Sequence, residues 1–338
     1  MFSKFTLTAV LFLTLMAHSA QAKIWTVSPR PGANFTTIAG AVGSSSVLAG
    51  DTILVSGAPS SYAGFTISKK LTIIGPGYFL GENAGLQADT NSAKISSTVT
   101  INAQGTTIMG MHFLYALSIN ADNVTIIRCR VQASTASIQP VYIYAKDSIV
   151  LRQNYITQSA SYYHSITVAA GATQIFIQNN FVEYTGGSPS YGSFDINGSM
   201  TGDISNNIIY GDFDNVSGGF TFNNNILRGG TFNTTGVIPY NNIGDGTQFG
   251  TSNGNQQNVN MSSVFLGTGS SDAKWQLSLA GGPASNAGFG GVDCGMFENS
   301  LGYGYVLSGI PAVPSIYLFN TSVNGNNLDV TVNVKSNN

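Results

Sequence analysis

Two carboxyl groups and a histidine lie within one short region of the sequence. Glu183 and Asp195 are 12 residues apart, and His164 precedes them. A glycosidase needs two carboxyls at a defined separation, so Glu183 and Asp195 are candidates for a facing pair at the two ends of one loop. Imidazole titrates near neutral pH, which makes His164 a candidate base, although a lone histidine in a loop more often only forms hydrogen bonds.

The same region offers a second type of chemistry. A polysaccharide lyase uses a cation or a metal to stabilise the substrate carboxylate, and a base to remove its α-proton. Lys146 and Arg152 are candidate cations for that role, as are Arg128 and Arg130. The residue types alone therefore leave a hydrolase and a lyase open.

Four tyrosines lie among these residues: Tyr162, Tyr163, Tyr184 and Tyr191. An aromatic face with a polar tip suits the binding of a sugar ring. The alternative interpretation is that the tyrosines pack over loops and shield the strands beneath them. Either role requires structural elements that bring residues 157–165 and 183–193 together.

A repeated phrase predicts those elements. QIFIQNNFV at 174–182 has counterparts in SIVLRQNYI, GDISNNIIY and GFTFNNNIL. Apolar residues recur three positions before and two positions after the second asparagine, as strands on either side of a bend would place them. Asparagine tolerates the left-handed backbone of a bend, and stacked buried amides can hydrogen-bond to one another. The aligned asparagines are Asn154, Asn180, Asn207, Asn225 and Asn242.

The spacing of the phrase indicates the architecture. Asn207 and Asn225 are only 18 residues apart, which leaves no room for a crossover helix between parallel strands. The strands must therefore follow one another around a solenoid. We predict an all-β fold, a single-stranded right-handed parallel β-helix. Its three enlarged coils are consecutive, so the loops at 132–140, 157–165 and 183–193 should lie side by side as one wall that carries the tyrosines.

Two further stretches resemble a known family. ANFTTIAGAV followed by AGDTILVSGAPSSY resembles the opening of the pectin-lyase-like β-helix proteins, and WQLSLAGGPASNAG followed by VDCGMFE resembles the closing coil of many secreted members. The resemblance implies a short N-terminal capping helix and a solenoid over most of the mature chain. It implies no single activity, since the fold carries lyases, hydrolases, esterases, epimerases and adhesins. The calcium-binding acids of the family and the paired aspartates of its polygalacturonases are not found in the sequence pattern.

The chain divides into three predicted regions. Residues 1–22 are typical of a secretory signal peptide, with a lysine, an apolar run and an Ala-Gln-Ala cleavage site. Residues 23–298 are predicted to form the β-helix. Residues 299–338, which include the alternating NLDVTVNVK, are predicted to form a β-rich tail that caps or braces the solenoid, with a sorting signal as the alternative. The protein should be secreted, exposed at the cell surface or periplasmic.

The composition of the chain limits the kinds of partner that we expect. Only 8% of residues are charged and the formal net charge is −2, so no basic surface for nucleic acid is expected. No transmembrane segment is expected after removal of the signal peptide. Cys129 and Cys294 are expected to be two buried thiols, with a bridge as the alternative. We expect a monomer without an obligatory cofactor or metal, although calcium is possible at an acidic cluster on adjacent coils, formed by Asp203, Asp212 and Asp214.

The sequence favours a polysaccharide-engaging protein of the secreted or cell-surface type without a defined reaction. A polysaccharide lyase or glycoside hydrolase that uses the candidates above is the first alternative. A purely structural adhesin or envelope protein is the second.

Overall fold

The computed structural model describes residues 22–133, 138–188, 190–278 and 282–337. Residues 1–21 of the predicted signal peptide lie outside the described residues. The elements, in chain order, are β1 (Ile24–Val27), α1 (Ile38–Gly43), β2 (Thr52–Val55), β3 (Thr66–Ile67), β4 (Thr72–Ile74), β5 (Lys94–Ile95), β6 (Val99–Ile101), β7 (Thr107–Met109), β8 (His112–Phe113), β9 (Leu117–Ile119), β10 (Thr125–Ile127), β11 (Arg130–Ala133), β12 (Val141–Ile143), β13 (Asp147–Arg152), β14 (Tyr155–Gln158), β15 (Ile166–Val168), β16 (Thr173–Gln178), β17 (Phe181–Tyr184), β18 (Phe194–Ser205), β19 (Ile208–Tyr210), β20 (Phe213–Asn223), β21 (Ile226–Arg228), β22 (Phe232–Asn233), β23 (Pro239–Tyr240), β24 (Ile243–Gly244), β25 (Ser315–Asn324) and β26 (Asn327–Lys335).

The strands from β1 to β24 pair in parallel and stack coil upon coil, which confirms the predicted parallel β-helix. Each coil contributes to three sheets. Sheet 1 runs from β1 and β2 through β4, β7, β10, β13 and β16; sheet 2 from β5 through β8, β11, β14, β17, β19 and β21 to β24; sheet 3 from β3 through β6, β9, β12 and β15. The long strands β18 and β20 begin in sheet 3 and end in sheet 1.

The interior of the solenoid is filled by stacked apolar side chains. In sheet 1, Ile126 pairs with Leu151, which pairs in turn with Ile177, and that row continues to Ile204 and Phe222. All five are at most 1% exposed. Alternation along each strand directs them inward. The predicted capping helix, α1, adds its own buried face to this core, and its first turn is capped by the Thr37 hydroxyl, which accepts from Gly40 N at 3.1 Å.

At the bend between sheets 1 and 2, two neighbouring residues of each coil have different structural roles. The first residue of each pair has a left-handed backbone, with φ between 53° and 57° from Gln153 to Asn241. The second is a fully buried asparagine whose amide reaches the next coil. Asn154 Nδ2 donates to Asn180 Oδ1 at 3.0 Å, and Asn180 Nδ2 donates to Asn207 Oδ1 at 3.0 Å. The stacked amides therefore satisfy one another inside the core.

Sheet 2 is buried on both faces. Its strands carry large side chains outward as well as inward, among them Tyr155 and Phe181, whose rings stack at 4.4 Å. Trp275 lies against Phe181 with ring centroids 4.7 Å apart. The last parallel strand, β24, ends at Gly244, and one further parallel bridge joins Ile243 to Gln256. Parts of the segment 259–297 pack on the outer face of sheet 2 as a second core.

The C-terminal segment then runs back along the bend between sheets 1 and 2. Asn206 Nδ2 donates to Asp293 O at 3.3 Å, Gln153 Nε2 to Gly304 O at 2.6 Å, and Arg128 Nη1 to Ile310 O at 2.9 Å. The segment thus lies along the side of the solenoid, held by outward side chains of the bend. It finishes in an antiparallel hairpin, β25–β26.

Candidate functional site

The loops between sheets 2 and 3 lie beside one another at one corner of the solenoid. Ser165 N donates to Gly192 O at 3.1 Å, and Ser161 Oγ donates to Gly186 O at 2.7 Å. These bonds join the loops predicted at 157–165 and 183–193. In the third predicted loop, 132–140, residues 134–137 lie outside the described residues.

Three of the four candidate tyrosines form one cluster, in which two are exposed and Tyr191 is half-buried. Tyr191 lies at its centre, with ring centroids 6.3 Å from Tyr162 and 6.4 Å from Tyr163. The exposed fractions of Tyr162 and Tyr163 are 55% and 39%. Tyr184 is different: it is 8% exposed, and its hydroxyl lies 3.4 Å from Ser161 O. Tyr184 therefore supports the loops from beneath and offers no face to a ligand.

A polar strip on the outer face of sheet 3 begins next to this cluster. Its members occupy matching positions on successive coils, so parallel pairing places them about 4.8 Å apart along the axis. Asn197 Nδ2 donates to Asp195 Oδ2 at 2.7 Å, and Asn233 Nδ2 donates to Asp214 Oδ1 at 3.0 Å. The strip consists of Tyr142, Thr167, Asp195, Asp214 and Asn233.

Thr167 lies between Tyr142 and Asp195 in the strip and is 4% exposed. Its hydroxyl has no hydrogen-bond partner among the residues that the structure describes. A buried hydroxyl without a partner costs free energy, so a ligand oxygen or a water that reaches it gains a hydrogen bond.

His164 joins the tyrosine cluster to the strip. Its ring centroid lies 5.3 Å from that of Tyr191, and its Nδ1 accepts a hydrogen bond from Gly192 N at 3.0 Å. Burial lowers the pKa of His164, against the opposing effect of the carboxylates of Asp195 and Asp214. The ring is therefore neutral at neutral pH and carries its proton on Nε2. It can donate a hydrogen bond there but has no free lone pair for a general base.

Glu183 and Asp195 do not form the predicted facing pair. Glu183 lies on sheet 2, where burial raises the pKa of its carboxyl and the positive charges of Lys274 and Arg228 oppose that rise. Asp195 lies on sheet 3 and pairs in register with Asp214. The carboxyl pair at this corner is thus Asp195 with Asp214, on neighbouring coils.

The candidate cations Arg152 and Lys146 lie away from the corner that carries Asp195. Arg152 ends a strand of sheet 1, donates from Nη2 to Gln178 Oε1 at 2.6 Å, and stacks on the Tyr303 ring at 3.8 Å. Lys146 follows β12, two coils from Asp195 and at the opposite edge of sheet 3, about 10 Å away along the axis. The cation and base of a lyase are therefore not brought together by these residues.

The three acids considered for calcium are also separated. Asp203 lies on sheet 1 and accepts from Gln178 Nε2 at 2.7 Å, Asp212 accepts from Thr231 N at 2.7 Å at the corner, and Asp214 lies on sheet 3. Within the described residues, no three acidic, histidine or cysteine side chains are grouped to hold a metal ion.

The two cysteines are free and buried, as predicted. Burial raises the pKa of both thiols to about 12. They contribute to packing and not to the site.

A second repeat in the sequence could have predicted that Asp195 and Asp214 are neighbours. Phe194-Asp195, Phe213-Asp214 and Phe232-Asn233 are the same phrase on three coils. In each, the phenylalanine points into the core and the polar residue points outward, so an alignment on these phenylalanines would have placed the carboxyls side by side.

Comparisons with known proteins give weak similarity to solved structures. No family model matches the chain, and no curated protein does. A solved structure of the pectin methylesterase from Aspergillus niger, in deglycosylated form, is similar at 16% identity and a TM-score of 0.32, over 80% of this chain and 94% of that one. Similarity at that level assigns no role to any residue here.

In the part of the chain that the structure describes, no helix has the length and apolar character needed to span a membrane. The stacked parallel strands give this chain the β-helix architecture that its sequence resemblance implied.

Proposed function

We propose that this protein binds polysaccharide on the outer face of sheet 3, as a secreted, cell-surface or periplasmic protein. The observation that supports this function best is the cluster of Tyr162, Tyr163 and Tyr191, which opens onto a strip of hydrogen-bonding side chains. Aromatic faces bind the apolar faces of sugar rings. Carboxylate, amide and hydroxyl groups of the strip bind the sugar hydroxyls.

The direction of the strip favours a polymer over a single sugar. Thr167, Asp195 and Asp214 belong to successive coils, so they follow the solenoid axis. An extended chain that lies along this axis can contact several coils at once, which adds small contributions without a deep cavity.

The test is binding to a panel of neutral and acidic polysaccharides by affinity electrophoresis and calorimetry. Replacing Tyr162, Tyr163 and Tyr191 together by alanine should weaken binding by about 10- to 2,000-fold, taking for each contact with a sugar ring the value of about 0.5–1.5 kcal/mol that holds for a pair of aromatic rings. Tyr240→Ala is the matched control, because Tyr240 is a 45% exposed tyrosine on sheet 1. Unchanged binding in the triple variant, or an equal loss in the control, would refute this placement of the site.

A second candidate function is hydrolysis of the bound polymer. It is favoured by the register of Asp195 with Asp214, since a strand spacing of about 4.8 Å is close to the separation of about 5 to 5.5 Å between the carboxyls of retaining glycosidases. If the pair is catalytic, Asp195→Asn and Asp214→Asn should each slow turnover by orders of magnitude and keep binding, whereas Glu183→Gln should leave turnover unchanged. Unsaturated products would indicate a lyase instead, and a protein without binding or turnover would match the adhesin.

A further inference from the structure

The coils that carry the proposed binding face contain almost no cations. From residue 153 to residue 273 the chain has one lysine or arginine, Arg228, and seven carboxylates. The formal net charge of −2 is therefore unevenly distributed, because most lysines and arginines precede residue 153. The carboxylates of this part of the chain are Glu183, Asp195, Asp203, Asp212, Asp214, Asp245 and Asp272.

Three of these carboxylates lie beside the tyrosine cluster. Asp195 and Asp214 are in register on the outer face of sheet 3, and Asp212 lies at the adjoining corner. Burial lowers the pKa of His164, and the negative charges of all three aspartates oppose that effect. Among the described residues the one salt bridge joins Arg30 to Asp89, so the three carboxylates have no ion-pair partner there.

The positive charges of the neighbouring elements belong to other faces. Arg228 lies on sheet 2, in register with Tyr210, and its guanidinium is 5.1 Å from the centre of the Tyr210 ring. Lys274 belongs to the segment that covers sheet 2, where its Nζ lies 5.2 Å from the Trp275 ring. Lys146 lies at the opposite edge of sheet 3. A polymer on the outer face of sheet 3 therefore meets carboxylates without a cation beside them.

The polar strip needs hydrogen-bond donors from its ligand. Asp195 Oδ2 and Asp214 Oδ1 each accept from one asparagine amide, whereas Asp195 Oδ1 and Asp214 Oδ2 accept no hydrogen bond from the described residues. Thr167, next to Asp195 in the strip, is 4% exposed, and its hydroxyl also lacks a partner there. An ionised carboxylate can only accept hydrogen bonds, so the best ligand is rich in donors.

We propose that the polysaccharide bound on sheet 3 carries free amino groups, which makes it a positively charged amino-sugar polymer; this inference rests on the function proposed above. An ammonium group has three donors and no acceptor, so it is the chemical complement of a carboxylate. Parallel pairing places Asp195 and Asp214 about 4.8 Å apart, and one ammonium between them can donate to both at about 2.7–2.9 Å. The exposed rings of Tyr162 and Tyr163 attract cations as well as the faces of sugars.

Neutral and acidic polymers fit this face less well. A sugar hydroxyl donates a single hydrogen bond and has no charge to offset the repulsion between the two aspartates. A uronate polymer would place its own carboxylates beside those of the protein, and like charges in contact oppose binding. The face should therefore bind the amine polymer first, neutral polymers second and acidic polymers last.

Calorimetry with oligomers of glucosamine, N-acetylglucosamine and glucose that share one linkage and one length tests this order, with oligogalacturonate as the acidic probe. In water an ammonium about 4 Å from a carboxylate gains about fivefold in affinity, so contact with two carboxylates should favour the glucosamine oligomer about 25-fold over the neutral ones. That advantage should shrink as the salt concentration rises from about 0.02 M to about 0.5 M. The affinity for the neutral oligomers should not change with salt.

Variants locate the source of the preference. Asp195→Asn combined with Asp214→Asn should lose it and keep the affinity for the neutral oligomers. Glu183→Gln combined with Asp203→Asn is the matched control, because it removes two carboxylates that lie on sheets 2 and 1. The control should retain the preference, and thermal melting followed by circular dichroism establishes that both variants are folded.

The outcomes distinguish this inference from the proposed function. Suppose that amine and neutral oligomers bind equally, or that oligogalacturonate binds best, and that the tyrosine triple variant loses this binding. The amine preference would then be overturned, while sheet 3 would remain the binding face. A preference that survives in the Asp195 and Asp214 variant, or that disappears equally in its control, would also overturn the inference. If neither these oligomers nor the wider polysaccharide panel binds, the inference and the proposed function are both overturned.

Discussion

Replacing Asn207 by leucine would interrupt the row of buried amides at its centre. Asn207 is fully buried. Its Oδ1 accepts from Asn180 N at 2.9 Å and from Asn180 Nδ2 at 3.0 Å, and its Nδ2 donates to Ile177 O at 2.8 Å and lies 3.0 Å from Asn225 Oδ1. Leucine has the same branched shape but is larger, and it can replace none of these bonds.

The cost follows from the groups left behind. Asn180 N would lose its acceptor inside the core, which costs about 1 to 3 kcal/mol for an unpaired buried donor, and each remaining bond lost costs about 0.5 to 1.5 kcal/mol. The free energy of unfolding should fall by about 2.5 to 7.5 kcal/mol in total. At about 2 °C for each kcal/mol in a chain of this size, the melting temperature should fall by about 5 to 15 °C.

Equilibrium urea unfolding and thermal melting, both followed by circular dichroism, measure this effect. Asn120→Leu serves as the control, because Asn120 is an exposed asparagine on the solenoid whose Nδ2 donates to Asn102 Oδ1 at 3.2 Å. It should change stability by less than about 0.5 kcal/mol. A change that small in the Asn207 variant would show that the stacked amides do not stabilise the fold.

Two further predictions concern buried titratable groups. Burial lowers the pKa of His112 to about 3 from 6.5, so below pH 6.5 the unfolded chain binds a proton that the folded chain excludes. The stability that is present above pH 6.5 should therefore be lost as the pH falls toward 3. Urea titrations of His112→Gln should show a weaker dependence of the free energy of unfolding on pH. The thiols of Cys129 and Cys294, with pKa values raised to about 12, should not react with Ellman's reagent in the native protein and should give two equivalents in denaturant; rapid reaction of the native protein would show that one thiol is accessible.

The sequence predicts the solenoid because its strongest signal is local and repeated. The apolar residues three positions before and two positions after Asn180 or Asn207 identify the side of the strands that faces the interior. The residue immediately after each asparagine is also apolar, as in Phe181 and Ile208. Apolar residues at adjacent positions are typical of a sheet that is buried on both faces. They predict that another segment covers the outer face of the sheet, whereas the inward-facing apolar residues alone do not predict such a segment.

The contacts between distant residues could not be predicted in this way. Sequence spacing places Glu183 and Asp195 in one loop, but it does not specify that the corner of the solenoid falls between them and turns them onto different sheets. Asp195 and Asp214 are brought together by the register of two neighbouring coils. The return of the C-terminal segment along the bend depends on side chains such as Asn206 and Arg128, which no local pattern connects to their partners.

The course of that segment limits where a polymer can bind. Tyr155 and Phe181 on sheet 2 are buried beneath the segment that carries Trp275, so that face is closed to a ligand. The bend between sheets 1 and 2 is partly covered, because its outward side chains hold the returning chain. Sheet 3 keeps its outer polar residues in register along the axis, and its adjoining loops carry exposed tyrosines. These features support sheet 3 as the proposed binding face for a long flat ligand, and they make the tyrosine cluster and the aspartate pair the residues whose replacement tests that proposal.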